Sequence, residues 1–260
     1  MIVVTGMHRS GTSLVCQLLQ AMGLDFGAPE DRFAADRWNE PGYFESKAVM
    51  DLNSEIVTGF PRNRGRARAM LSRLRYAMMP GPAGMARRAA RVRERLQALA
   101  EEHRDHALKD PRFCLTLRFW QEVAEVERVV VCLRRPAAVV ASLQRRDHLP
   151  RGRGYRFFAY HLASLLEQLP VERSLLVDVD ALFGEGGGEE LALLCTFLRL
   201  ELPISPAALL GEVVRPELYR RAGDEQEQLP PTTQALWEQA CELRARRRCE
   251  VLADAEAGRS

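Results

Sequence analysis

A short β-branched run, Ile2-Val-Val-Thr5, ends on Gly6, and a second glycine follows at Gly11 just before an apolar helical period begins. This arrangement constrains the chain more than any other feature. The run reads as a buried parallel strand. Leu14, Val15, Leu18, Leu19 and Met22 then repeat at helical spacing and close on Gly23. A strand, a glycine loop and a helix in that order place backbone N–H groups and the positive end of a helix at one point, which is an anion site. Gly6-x-x-x-x-Gly11 has the spacing of a nucleoside triphosphate loop, but Thr12 stands where the lysine that reaches the β- and γ-phosphates belongs, and the cation sits inside the loop as Arg9. Anion binding is therefore expected, and hydrolysis of ATP or GTP is not. The bland alternative is a tight turn that holds nothing.

The rest of the chain repeats the alternation. Strands are expected at 106–111, 128–134 and 174–179, with helices from Phe113 to Val123, Pro136 to Gln144, Arg156 to Gln168 and Glu189 to Leu198, and a final one from about Thr232 to Ala253. From Pro203 to that last helix the pattern is mixed. A further helix should start near Ser46 and run past Val57. Strands alternating with helices mean an α/β fold: a P-loop-type parallel sheet flanked by helices. The 260 residues are expected to form a single domain, 1–260, with a basic helical insert at about 61–104. Residues 61–95 hold eleven arginines and one acid, Glu94, and read as two helices joined at Pro80-Gly81-Pro82. They are either a pair of solvated arginine-rich helices, a lid over an acceptor, or a peripheral contact with an anionic membrane.

A hydrophobic fraction of 47% supplies a sizeable core, and a net charge of +2 does not demand nucleic acid. Among 37 basic side chains only Lys47 and Lys109 are lysines, so a lysine kept at a strand end draws notice. Cys16, Cys114, Cys132, Cys195, Cys241 and Cys249 show no metal-ligand spacing, and no acidic cluster calls for a metal. Free thiols in that number, no apolar run of membrane length and no leader pattern point to a cytoplasmic protein.

The segment His8-Arg9-Ser10-Gly11-Thr12-Ser13 resembles the 5′-phosphosulfate loop of the sulfotransferase superfamily, where a Lys or Arg precedes Ser-Gly-Thr-Ser/Thr. A second match is independent of it. After the strand ending at Leu133 come Arg134-Arg-Pro136, with Ser142 eight residues beyond Arg134. Sulfotransferases hold the 3′-phosphate of their donor with an Arg and a Ser at this spacing. Arg offers phosphate a planar fork and Ser a short hydroxyl donor. Glu40-Pro-Gly-Tyr-Phe-Glu45 and Leu108-Lys-Asp-Pro-Arg112 are similar to segments of bacterial members. The resemblance covers about residues 2–200. No Gly-x-x-Gly-x-Trp segment follows, which leaves the adenine site unassigned, with Arg220 and Arg221 as candidates.

The resemblance implies a cofactor-like donor, 3′-phosphoadenosine 5′-phosphosulfate, bound by Arg9, Ser10, Gly11, Thr12, Ser13, Arg134 and Ser142, with no metal. It implies transfer of a sulfuryl group to a hydroxyl or amine of a small-molecule or carbohydrate acceptor: a saccharide, glycolipid or natural product. Arg9 would balance charge on the bridging oxygen. Lys109 would add a second charge or simply pair with Asp110. Glu45 is the first candidate for general base and His8, in the loop itself, the rival; Asp110 comes third. His148 and His161 read as peripheral. Two other readings remain open: a P-loop-type small-molecule kinase, and a non-catalytic nucleotide-binding or membrane-surface adaptor.

Overall fold

A computed structural model describes residues 1–33, 42–62, 65–215 and 227–257. Four strands, β1 (Ile2–Thr5), β2 (Ala107–Lys109), β3 (Arg128–Leu133) and β4 (Ser174–Asp178), form one sheet in the order β2-β1-β3-β4. All three pairings are parallel, with Val4 beside Lys109 and Thr5 beside Val131. Successive residues face opposite sides. Val3, Val129, Val131 and Leu176 enter one apolar cluster; Val4, Val130, Cys132, Leu175 and Val177 enter another on the far side. A sheet buried on both faces needs strands with continuous apolar stretches, which Ile2–Val4, Val129–Leu133 and Leu175–Val177 supply.

The first cluster is covered by α2 (Lys47–Thr58), α4 (Pro82–Arg91), α5 (Arg93–Glu102), α6 (Phe113–Gln121), α7 (Pro136–Asp147) and α8 (Arg151–Gln168). The second is covered by α1 (Thr12–Ala21), α9 (Gly187–Leu198) and α10 (Pro206–Val213), while α11 (Pro231–Ala257) packs on α8, α9 and β4. The expected α/β class, a parallel sheet flanked by helices, is what the chain forms.

Several boundaries differ from the sequence expectation. The basic insert holds three helices, because α3 (Arg66–Ala77) and α4 are followed by a break at Val92, which turns Leu96 and Ala100 into the core. Helix α8 begins at Arg151 rather than Arg156. Gly152 and Gly154 make those residues poor helix formers, yet a Cβ on Gly154 would lie 2.8 Å from Val140 Cγ1, so the glycine is what lets α8 approach α7. Helix α10 was not expected, although Ser205-Pro206 is a start signal: Ser205 Oγ accepts from Ala208 N at 3.3 Å with Pro206 in the first turn.

Chain direction locates the site. From β1 the chain goes on to β2 on one side, and from β3 it goes on to β4 on the other. The crevice beyond the carboxyl ends of β1 and β3 is thus the switch point at which open α/β sheets hold ligands.

Candidate active site

Both signature segments open onto that crevice: the loop from Gly6 to Gly11 leaves Thr5, and Arg134 leaves Leu133. The loop's shape depends on its two glycines. At Gly6 (φ +149°) a Cβ would stand 2.5 Å from the Cys132 carbonyl oxygen, and at Gly11 (φ +84°) 2.4 Å from Val179 Cγ1. Arg9 between them also adopts a positive φ of 71°, a cost the loop imposes on a side chain that must point into the crevice. Gly11 is the N-cap of α1 and offers no side chain to its first turn, leaving that positive helix end for a ligand. The Ser10 hydroxyl, 1% exposed, has no hydrogen-bond partner among the described residues.

The two segments, more than a hundred residues apart, meet at Arg9. Its Nε donates to Ser142 Oγ at 3.0 Å, and Arg134 NH1 donates to the Arg9 carbonyl at 3.3 Å. Arg134 is steadied from behind by Asp180, which accepts from its Nε at 3.3 Å and from the Arg135 backbone N–H at 3.0 Å. Asp180 was not singled out in the sequence, and only the return of β4 beside β3 brings it here.

Lys109, at the end of β2, reaches under the same loop. Its ammonium pairs with Glu45 and lies 3.4 Å from Ser13 Oγ. The sequence offered Asp110 as its partner, but successive residues at a strand end face opposite ways. Asp110 accepts instead from Arg112 NH1 at 2.8 Å, from the Arg112 backbone N–H at 2.9 Å and from Asn53 Nδ2 at 3.1 Å. Asp110 is fully buried, with both carboxylate oxygens engaged by Arg112 and Asn53. Glu45, just before the Ser46 N-cap of α2, keeps its Oε2 buried and without a partner among the described residues. Of the segment that ends at Glu45, Glu40 and Pro41 lie outside the described residues, as do Arg220 and Arg221.

The His8 side chain reaches the basic insert. Its Nε2 lies 2.9 Å from the Tyr76 hydroxyl on α3, and that hydroxyl lies 2.6 Å from Nε2 of His161 on α8. His161, expected to be peripheral, is fully buried. A histidine, a tyrosine and a histidine at 8, 76 and 161 carry no spacing signal, so sequence reading missed the trio.

The surroundings are strongly positive. Burial lowers the Arg9 guanidinium pKa, Arg146 and Arg134 lower it further, and Tyr43 and Asp147 oppose them. Arg62 falls to about 10, through burial and then the neighbouring Arg112 and Arg73. Burial works against the charge on Arg112 too, but Asp110 more than restores it, and its guanidinium stacks 5.7 Å above the Tyr76 ring. Arginines that repel one another at half-buried positions form a site short of negative charge, which a polyanion would supply. The residues present fit a donor bearing a phosphosulfate and a second phosphate.

An open parallel α/β sheet with a glycine loop at its switch point defines the class. Its solved counterparts are sulfotransferase domains, and this chain has their fold. It is similar to the sulfotransferase domain from the Synechococcus PCC 7002 olefin synthase at a TM-score of 0.55 and 15% identity, over 92% of this chain and 93% of that one. It is also similar to the sulfotransferase domain from the curacin biosynthetic pathway, at a TM-score of 0.51 and 14% identity, over 92% and 96% of the two chains. No protein-family model matches the sequence, and no curated protein is significantly similar to it.

Proposed function

We propose that the protein is a sulfotransferase that moves the sulfuryl group of 3′-phosphoadenosine 5′-phosphosulfate to a hydroxyl or amine of a saccharide, glycolipid or natural product. The convergence of Arg9, Ser142 and Arg134 at the switch point carries this reading. One cationic loop and one Arg/Ser pair, held together, suit a donor with charge at both the 5′ and 3′ positions; a nucleoside triphosphate has charge at one end only. The two neighbours from olefin synthase and curacin pathways support a natural-product acceptor.

In the transfer, the acceptor oxygen attacks sulfur in line, its bond to sulfur forms, and the bond from sulfur to the bridging oxygen breaks. Adenosine 3′,5′-bisphosphate leaves, and the acceptor proton goes to a base. Negative charge grows on the bridging oxygen, so the fixed positive charge of Arg9 and the amides opening α1 lower the barrier without reorganising. Lys109, oriented by Glu45 and close to Ser13, adds a second charge beneath the loop.

Calorimetry with adenosine 3′,5′-bisphosphate and with ATP tests the donor. Binding of the bisphosphate and not of ATP supports the reading. The reverse preference would favour a kinase, and tight bisphosphate binding without transfer of ³⁵S-sulfuryl to any acceptor would favour an adaptor. Arg9→Ala is expected to cut transfer on the order of 10²-fold or more.

The outer face of α3 supports peripheral contact with an anionic membrane. Met70, Leu71, Leu74 and, just past its end, Met78 are 45–72% exposed and share an arc of about 100° at helical spacing. Arg66 and Arg73 flank one side of that arc, Arg68 and Arg75 the other, and Ser72 and Tyr76 lie on the opposite, inward face. An apolar stripe between two rows of arginine fits an interface lined with acidic headgroups. Co-sedimentation with phosphatidylglycerol vesicles but not phosphatidylcholine vesicles is expected, and to be lost in Leu74→Glu; equal indifference to both would end the proposal.

A further inference from the structure

Burial and hydrogen bonding together settle the protonation of the His8–Tyr76–His161 trio. His161 Nδ1 lies 2.8 Å from the Phe157 carbonyl oxygen, which can only accept, so Nδ1 carries the proton. Burial lowers the His161 pKa to about 4, leaving the ring neutral at pH 7 with a lone pair on Nε2. Tyr76 must therefore donate its one proton to that nitrogen, at 2.6 Å. With the proton spent, the Tyr76 oxygen can only accept at 2.9 Å from His8, which fixes the proton of His8 on Nε2. Burial and then Arg112, His161, Arg146 and Arg62 keep His8 neutral as well. What remains is a lone pair on His8 Nδ1, and that atom has no hydrogen-bond partner among the described residues.

From this geometry we infer that His8 is the base of the transfer, with Nδ1 taking the acceptor proton as the oxygen–sulfur bond forms, and that Tyr76 and His161 are positioning residues that hold the imidazole in its Nε2–H form. The inference rests on the sulfuryl-transfer reading. It also chooses between the two candidate bases: Glu45 is tied to Lys109, whereas His8, a residue of the donor loop, keeps a lone pair on Nδ1. The charged groups that act on His8 are all positive, Arg112 before α6, Arg146 on α7 and Arg62 after α2, while Tyr76 on α3 and His161 on α8 are its neutral neighbours. Binding of the anionic donor offsets those charges and raises the basicity of His8 when it is needed. The trio extends from the donor loop to the inward face of α3, so the basic insert enters the chemistry through Tyr76.

Nitrogen-15 histidine spectra of the wild-type protein test the tautomers without any acceptor. His8 is expected as the Nε2–H form and His161 as the Nδ1–H form, with Tyr76→Phe releasing His8 into a mixture. Addition of adenosine 3′,5′-bisphosphate should shift the His8 titration upward. A His8 signal with its proton on Nδ1, or one indifferent to Tyr76→Phe, overturns the relay. Transfer of ³⁵S-sulfuryl from labelled donor to water and a mixed acceptor pool should fall on the order of 10²-fold in His8→Ala, with bisphosphate affinity kept within about 3-fold, and recover partly with added imidazole. Undiminished transfer in His8→Ala refutes the base. Failure of the wild type to bind the bisphosphate refutes the donor reading instead, and leaves the tautomer result standing.

Discussion

Arg9 donates through Nε to the Ser142 hydroxyl at 3.0 Å, tying the loop that follows β1 to the helix that follows β3. This one bond sets the distance between the two places where a bisphosphorylated donor would carry charge. Ser142→Ala removes this bond to Arg9 and, on the proposed donor reading, a hydroxyl that would donate to phosphate. Affinity for adenosine 3′,5′-bisphosphate should fall about 10-fold, the worth of one hydrogen bond to a charged group. Arg134→Ala should cost more, because it removes the bond to the Arg9 carbonyl and, on the same reading, a guanidinium fork for phosphate. Wild-type affinity in calorimetry would exclude either residue from the donor site.

Lys109 and Glu45 form a buried pair, so breaking it from either side strands a charge. Lys109→Met should lower stability by about 3 kcal/mol or more in urea titration. The double variant Lys109→Met/Glu45→Gln should regain part of that loss while transfer stays impaired. Full recovery of transfer would reduce the pair to a structural role.

Gly6→Ala puts a Cβ against the Cys132 carbonyl of the neighbouring strand, where nothing can move aside. At Gly11 the obstacle is the Val179 side chain, which can yield slightly, although the positive φ remains. Both alanine variants should melt below wild type, Gly6→Ala by the larger margin. Equal melting temperatures would mean that the loop does not need this backbone.

Stability should depend on pH through the buried histidines. A depressed histidine pKa means that the unfolded chain binds protons more readily, so stability is complete above pH 6.5 and declines below it. His161, lowered to about 4, should remove ~2 kcal/mol between pH 6.5 and 5, above the carboxylate range. His8, lowered by burial and then by the arginines around it, acts in the same direction. Urea midpoints at pH 7 and 5 measure the loss, and His161→Phe should flatten it. A midpoint that holds constant between those pH values contradicts the buried neutral pair.

Much of the fold was legible because its signals are local. Ile2–Thr5 and Arg128–Leu133 are largely apolar on both faces, and Gly6 and Gly11 stand where the backbone requires them, so strand, loop and helix could be placed along the chain. Helix starts at Ser46 and Pro136 were readable for the same reason. Where packing overrides propensity the reading slipped: the glycines opening α8 are tolerated only because they let it approach Val140, and the kink at Val92 serves core residues further along.

The sequence alone determined the parallel α/β class and the cationic glycine loop, since both rest on residue order and on the backbone freedom of particular positions. Tertiary structure decided which charges meet. It gave Lys109 to Glu45 and not to its chain neighbour Asp110, because successive residues at the strand end face opposite ways. It set Asp180 behind Arg134, and it assembled His8, Tyr76 and His161 from three distant segments. A tautomer is fixed by partners in space, and the spacing of residues along a chain holds no record of them.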